Sequence, residues 1–334
     1  MEASFWYDYG LFSLKALTLA LVVLLPLLLL LRLRLRRQRQ QHTGMQVTRL
    51  NETYARFRLL LAQAALPKAE RRRLAKETKT QQAQWEQLPR LYVLRFQGDL
   101  KAHATPNLQD EISLLLTLAQ PGETVLLQLE SGGGLVNAYG LAASQLLRLK
   151  AAGLKLVVAV DKVAASGGYL MAACGDQILA APFALVGSIG VVAQLPNLNR
   201  WLKEHGVDYE LLTAGEFKRT LTLFGENDEK GRQKMQAELE AVHGLFKGFL
   251  AQVRPALNLD QVATGEAWYG TQALEKGLID QIQTGEDFLL QTSKDHLILL
   301  VETHGSASRW ARFFGPRAGG VIGTWQDGLR AYML

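Results

Sequence analysis

From residue 91 onward, short apolar runs alternate with segments whose apolar residues recur every three or four positions. The runs 91–96, 125–130, 154–160, 177–180, 185–192 and 209–212 predict strands, and the periodic segments 107–119, 136–152, 198–205 and 228–254 predict helices. Strands that read as nearly continuous Val, Leu and Ile are those buried on both faces. Their alternation with helices implies βαβ units and a largely parallel sheet. Asn107 is placed to cap the first helix, with Asp110 and Glu111 in its early turns, and Gly277 is placed to end a short helix over 271–276. About 190 residues is ample for one core.

The N-terminal pattern is different. Residues 16–31 carry no charge, and extending back across Lys15 to Leu11 gives 21 residues, near the roughly 20 that cross a bilayer. Arg32, Arg34, Arg36, Arg37 and Arg39 follow directly, whereas a cleaved leader carries its positive charge ahead of the apolar run. The expectation is one uncleaved transmembrane helix, with Phe5, Trp6, Tyr7 and Tyr9 as an aromatic belt. Four regions result: an anchor over 1–31, a basic juxtamembrane helical linker over 32–90, an α/β domain over 91–290, and a C-terminal strand and tail over 291–334.

Charge sharpens this division. Residues 32–90 hold 15 Lys and Arg against four Asp and Glu, so the chain's net +6 comes from the linker and the remainder is acidic. Tyr54, Phe57, Leu60 and Leu61 recur at helical spacing within it, as in a solvated arm lying on anionic headgroups. A basic run beside a membrane anchor does not call for nucleic acid, and none is expected as a partner. By the positive-inside rule the residues after Leu31 are cytoplasmic. The tail residues Trp310, Phe313, Phe314 and Trp325 suit a membrane or partner contact, or a loosely docked end.

Candidate chemistry centres on Val163-Ala164-Ala165-Ser166-Gly167-Gly168-Tyr169. Ser166 follows the apolar strand 154–160 and precedes the apolar run Met171 to Cys174, which makes it a strand-to-helix elbow. Free helix N–H groups and the helix dipole there favour developing negative charge. Read alone, the serine is a plain N-cap before a buried helix sooner than a reactive group. The six histidines are scattered without ligand spacing, and Cys174 is the single cysteine. Neither a zinc site nor an intrachain disulfide is expected, and Cys174 reads as a small buried hydrophobe. The Gly132–Gly134 run fits neither phosphate-binding glycine pattern, so no nucleotide cofactor is implied.

Five motifs in one order add to that reading. Ala165-Ser166-Gly167-Gly168-Tyr169, Leu129-Glu130-Ser131-Gly132-Gly133-Gly134, Val186-Gly187-Ser188-Ile189-Gly190-Val191, Gly215-Glu216-Phe217-Lys218 and Gly277-Leu278-Ile279-Asp280 together resemble the signal peptide peptidase A family of serine peptidases, family S49. One anchor and one peptidase domain are most similar to its SohB branch. The resemblance covers 91–282 closely and the anchor and linker more loosely. It implies a ClpP/crotonase-like fold over the α/β domain, with Ser166 as nucleophile, Lys218 as general base and Ser188 supporting the lysine. Gly132, Gly133, Gly134 and Gly167 become the expected oxyanion and substrate-binding positions, together with the Ser166 N–H. Gly132 stands where the family loop has proline, which loosens the turn.

The resemblance further implies no cofactor, peptide substrates such as remnant signal peptides, a homo-oligomer with enclosed active sites, and the bacterial inner membrane. It favours the outer face of that membrane, against the positive-inside reading, and both stand at this point. A lysine in water is almost wholly charged at neutral pH, so a general-base lysine has to be desolvated. Phe217 and the segment 221–224 supply apolar neighbours for Lys218, and Glu216 is expected to face away. Two other readings are a crotonase-like acyl-thioester enzyme and a non-catalytic membrane scaffold.

Overall fold

The Val- and Leu-rich runs form the middle of a ten-stranded sheet in the computed structural model, which describes residues 44–215 and 217–303, with Lys15 alone ahead of them. Strands are β1 (Met45–Arg49), β2 (Arg90–Gly98), β3 (Thr124–Ser131), β4 (Lys155–Val160), β5 (Val163–Ala165), β6 (Gln177–Ala180), β7 (Leu185–Gly187), β8 (Ala267–Tyr269), β9 (Gln281–Ile282) and β10 (Leu297–Thr303). Helices are α1 (Leu50–Ala65), α2 (Lys68–Gln84), α3 (Thr105–Leu116), α4 (Val136–Ala151), α5 (Gly167–Ala172), α6 (Asn199–Glu204), α7 (Glu229–Val253), α8 (Leu259–Val262), α9 (Gly270–Glu275) and α10 (Gly285–Thr292).

The main path runs β1-β10-β2-β3-β4-β6-β9, and a branch leaves β3 through β5 and β7 to β8. Pairing is parallel from β10 to β9 and through the branch as far as β7; β8 joins antiparallel. Both sheet faces are covered, as a parallel sheet requires. One face packs Leu94, Phe96, Leu127 and Val158 with Ile112, Tyr139, Leu146 and Met171 of α3, α4 and α5. The other packs Leu91, Val93, Leu126 and Ile298 with Leu289, Leu50 and Tyr54. Asn51 pins α1 to the sheet edge: its amide donates to the Ser293 and His296 carbonyls and its Oδ1 accepts from the Ile298 N–H.

Several expectations shift. The helix expected from Asn107 begins at Thr105 with Pro106 in its first turn, so Asn107 lies inside the helix and not at its cap. The strand expected over 185–192 stops at Gly187, because Ser188 takes a φ of 52° that no strand tolerates. Residues 209–212 form no strand; Tyr209, Leu211 and Leu212 are exposed. Gly277, at a φ of 74°, does end α9. Cys174 is buried, with its thiol pushed up to about 12 by burial. Val47–Glu302 forms one compact unit. Among the described residues no helix is long and apolar enough to cross a membrane. The expected anchor over 11–31, its aromatic belt, Glu216 and the tail beyond Thr303 lie outside the described residues.

Candidate active site

Strand register brings three of the five motifs together. Ser131 pairs with Ala164, and Ala165 pairs with Gly187, so the ends of β3, β5 and β7 lie side by side. Just past those ends stand the 132–134 turn, Ser166 and Ser188. Crevices beyond the carboxyl ends of parallel strands are where such sheets bind ligands.

Ser166 links β5 to α5 with φ 52° and ψ −118°, a conformation that L-residues avoid and that costs of order 1–3 kcal/mol. Its side chain makes no capping hydrogen bond to α5, so the plain N-cap reading does not hold. Its N–H donates to the Gly187 carbonyl at 2.8 Å, which commits that donor to the fold instead of the oxyanion, contrary to expectation. Gly167, Gly168 and Tyr169 open the helix, where N–H groups lack an intrahelical acceptor.

The glycines are required by contact. A Cβ on Gly168 would stand 2.4 Å from the Ser131 carbonyl oxygen, and one on Gly167 would stand 2.5 Å from Cγ of Tyr139. Gly133, at a φ of 89°, lies against Ser166: its Cβ would meet the Ala165 carbonyl oxygen at 2.7 Å, and Ser166 Cβ and the Gly167 nitrogen at 2.8 Å. Gly134 presses on the Leu100 backbone, where a Cβ would come within 2.2 Å of the carbonyl oxygen. Gly132 is exposed and has no neighbour in reach of a Cβ.

Ser188 mirrors Ser166, with the same φ of 52°, its N–H donating to the Glu266 carbonyl at 2.6 Å. Lys218 is not brought to either serine. It lies exposed in a stretch without regular structure, its N–H donating to the Gly215 carbonyl at 3.2 Å, and among the described residues no hydrogen bond joins it to Ser166 or Ser188. Of the apolar cover expected for it, Phe217 is engaged elsewhere: Nζ of Lys230 and Lys234 stand 5.6 and 5.2 Å from the centre of its ring. The stretch abuts the start of α7, where a Cβ on Gly231 would stand 2.3 Å from the Thr220 carbonyl oxygen and where Asp228 caps the helix by accepting from the Gly231 N–H.

Sequence reasoning missed Tyr139, whose hydroxyl lies 2.5 Å from Ser131 Oγ and donates to the Asp99 carbonyl at 2.8 Å. Its one sequence signal is a tyrosine within an otherwise apolar helical stripe. It also missed Arg254, whose guanidinium grips both carboxylate oxygens of Asp280 at 2.8 and 2.9 Å and so ties the end of α7 to the Gly277–Asp280 motif. Among the described residues no group of His, Cys, Asp and Glu is arranged to hold a metal ion.

Two sequence profiles match the chain: Peptidase family S49 over residues 148–298 and Peptidase family S49 N-terminal over residues 4–146. A curated relative from Haemophilus influenzae, "Probable protease SohB", is 57% identical over 212 residues, covering 64% of this chain and 60% of the relative. Its namesake from Buchnera aphidicola subsp. Acyrthosiphon pisum is 51% identical over 213 residues, covering 64% of this chain and 63% of the relative. The match therefore spans about six-tenths of the length of these relatives. Among solved structures, a mutant form of the 1510-N membrane-bound stomatin-specific protease is similar over 61% of this chain and 84% of its own, at 14% identity and a TM-score of 0.40.

Proposed function

Because the chain belongs to peptidase family S49, we propose that it is a membrane-anchored serine endopeptidase on a ClpP/crotonase-type sheet, with Ser166 as nucleophile and Lys218 as general base. The observation that carries this reading is Ser166 itself. It holds a costly backbone conformation, caps nothing, and sits between the Gly133 turn and the first N–H groups of α5, which have no intrahelical acceptor.

In the proposed reaction Ser166 Oγ attacks the scissile carbonyl while the neutral amine of Lys218 takes its proton. Lys218 then gives that proton to the leaving amine, and water, deprotonated in the same way, hydrolyses the acyl-enzyme. The Gly167 N–H, at the positive end of α5, is the donor best placed for the oxyanion, since the Ser166 N–H is committed to Gly187. The dyad requires Lys218 to lose water that it keeps in the single chain, which supports closure of the site by a homo-oligomer. Ser188, beside Ser166, is the hydroxyl proposed to hold the lysine once it is drawn in. Proposed substrates are apolar or membrane-associated peptides, reached from an anchor over 11–31.

The test is a fluorophosphonate serine probe on the detergent-purified protein, with the labelled peptide mapped in wild type and Lys218→Ala. Labelling at Ser166 that is lost in a folded, assembled lysine variant is expected. A folded wild type that never labels would sink the reading in favour of a scaffold or thioester enzyme.

A further inference from the structure

Between β3 and α4 runs a buried hydrogen-bond chain whose direction follows from a proton count. The Gly133 N–H donates to Ser131 Oγ at 3.1 Å, Ser131 Oγ is 2.5 Å from Tyr139 Oη, and Tyr139 Oη donates to the Asp99 carbonyl at 2.8 Å. Tyrosine has one hydroxyl proton and a carbonyl only accepts, so the serine hydroxyl must donate to Tyr139 Oη. Its lone pair is then what holds Gly133. Ser131 is 1% exposed and Tyr139 fully buried, so water does not compete at the Ser131–Tyr139 link, and successive links in a low dielectric strengthen one another.

The same side chain bears on the other wall of the site. The Tyr139 ring lies beneath Gly167 closely enough that a Cβ there would stand 2.5 Å from Cγ, and its hydroxyl end leaves Gly98 no room for a side chain either, at 2.4 Å. Gly132 has no neighbour in reach, so the 132–134 turn has no steric clamp at that residue. Packing against Ser166 and Leu100 limits the rest of the turn, and the hydrogen bond to Ser131 Oγ is the side-chain restraint at Gly133.

We propose that Tyr139 and Ser131 are positioning residues for the reaction at Ser166. The ring sets the height of the Gly167 N–H, and the hydroxyl chain sets the Gly133 turn against the nucleophile. The inference rests on Ser166 being the nucleophile, and it assigns one side chain in α4 the spacing between both walls of the oxyanion site.

The test uses the full chain in detergent, with Tyr139→Phe, Ser131→Ala and the double variant. A fluorogenic peptide gives kcat and KM, and the fluorophosphonate probe counts active sites. Each single variant is expected to lower kcat by about 10- to 100-fold per labelled site, less than the 10²–10³-fold typical of deleting an oxyanion donor outright, with KM within about two-fold. The double variant should be no slower than the worse single, since both break one chain. Variants that melt earlier yet keep wild-type kcat per site would reduce the pair to a structural role and overturn the inference, as would losses that multiply. A wild type that never labels at Ser166 overturns it together with the nucleophile assignment, whereas a labelled wild type with unaltered variants overturns it alone. Should Tyr139→Phe not fold, Ser131→Ala, which removes one oxygen, carries the test.

Discussion

At the scale of single residues, the site is built from backbone conformations that side chains resist. Ser166 and Ser188 share a φ of 52°, and Gly133 sits at 89° with the Ser166 Cβ in the way of any side chain. Gly133→Ala therefore meets two penalties, a left-handed conformation and a contact under 3 Å with the Ala165 carbonyl. We expect turnover to fall at least about 100-fold, the scale set by a misplaced reacting geometry, as measured by peptide hydrolysis per probe-labelled site. Gly140→Ala, in the middle of α4 with open space around it, is the control and should stabilise by about 0.5–1 kcal/mol in thermal melts. The serines and glycines were legible because each stands in a short motif at a turn. Tyr139 was not, since nothing in a helical stripe reveals that one hydroxyl will meet a serine eight residues back. The sequence also led us to expect a covered Lys218, and the lone chain leaves it in water because Phe217 faces Lys230 and Lys234 instead.

At the scale of elements, the long strands could be read because burial on both faces writes itself as apolar runs, 125–127 in β3 and 156–160 in β4. The three-residue β5, β7 and β8 are too short to show a period, yet they carry Ser166 and Ser188 to their places. The Arg254–Asp280 pair joins two elements that no pattern connects. Burial alone would push the Asp280 carboxyl up, but hydrogen bonds from Arg254 and the Ile178 N–H, with the guanidinium charge, hold it below its ordinary value. A depressed carboxyl contributes stability that is present above the unfolded value of about 3.9 and lost as pH falls through the folded one. Asp280→Asn should thus cost about 1–2 kcal/mol near neutral pH, discounted because the carboxylate keeps 36% of its exposure. The difference from wild type in denaturant melts should shrink below about pH 4. An equal penalty at pH 3 and pH 7 would mean that charge is not what the pair contributes.

At the scale of the whole molecule, the requirement that decides activity in the proposed mechanism is removal of water from one lysine. A lysine in water is an ammonium with no lone pair to accept the Ser166 proton. Lys218 is exposed, and the described residues also include exposed apolar side chains: Phe183 and Leu212 are 84% and 91% exposed, and Val192 and Trp201 lie more than half in solvent. Where such side chains form one contiguous patch, the patch marks an interaction surface. If neighbouring copies cover it, desolvation of the base and burial of that surface occur in one step, and catalysis becomes a property of the assembly. Specific activity at Ser166 should then rise with protein concentration in parallel with the fraction of oligomer seen by sedimentation velocity in detergent. Leu212→Glu, which puts a charge at a side chain that is 91% exposed, should shift both curves to higher concentration together. Turnover that stays constant per chain down to a monomer, by contrast, would require substrate itself to dry the lysine, and activity would then depend on how apolar the peptide is and not on how many copies surround it.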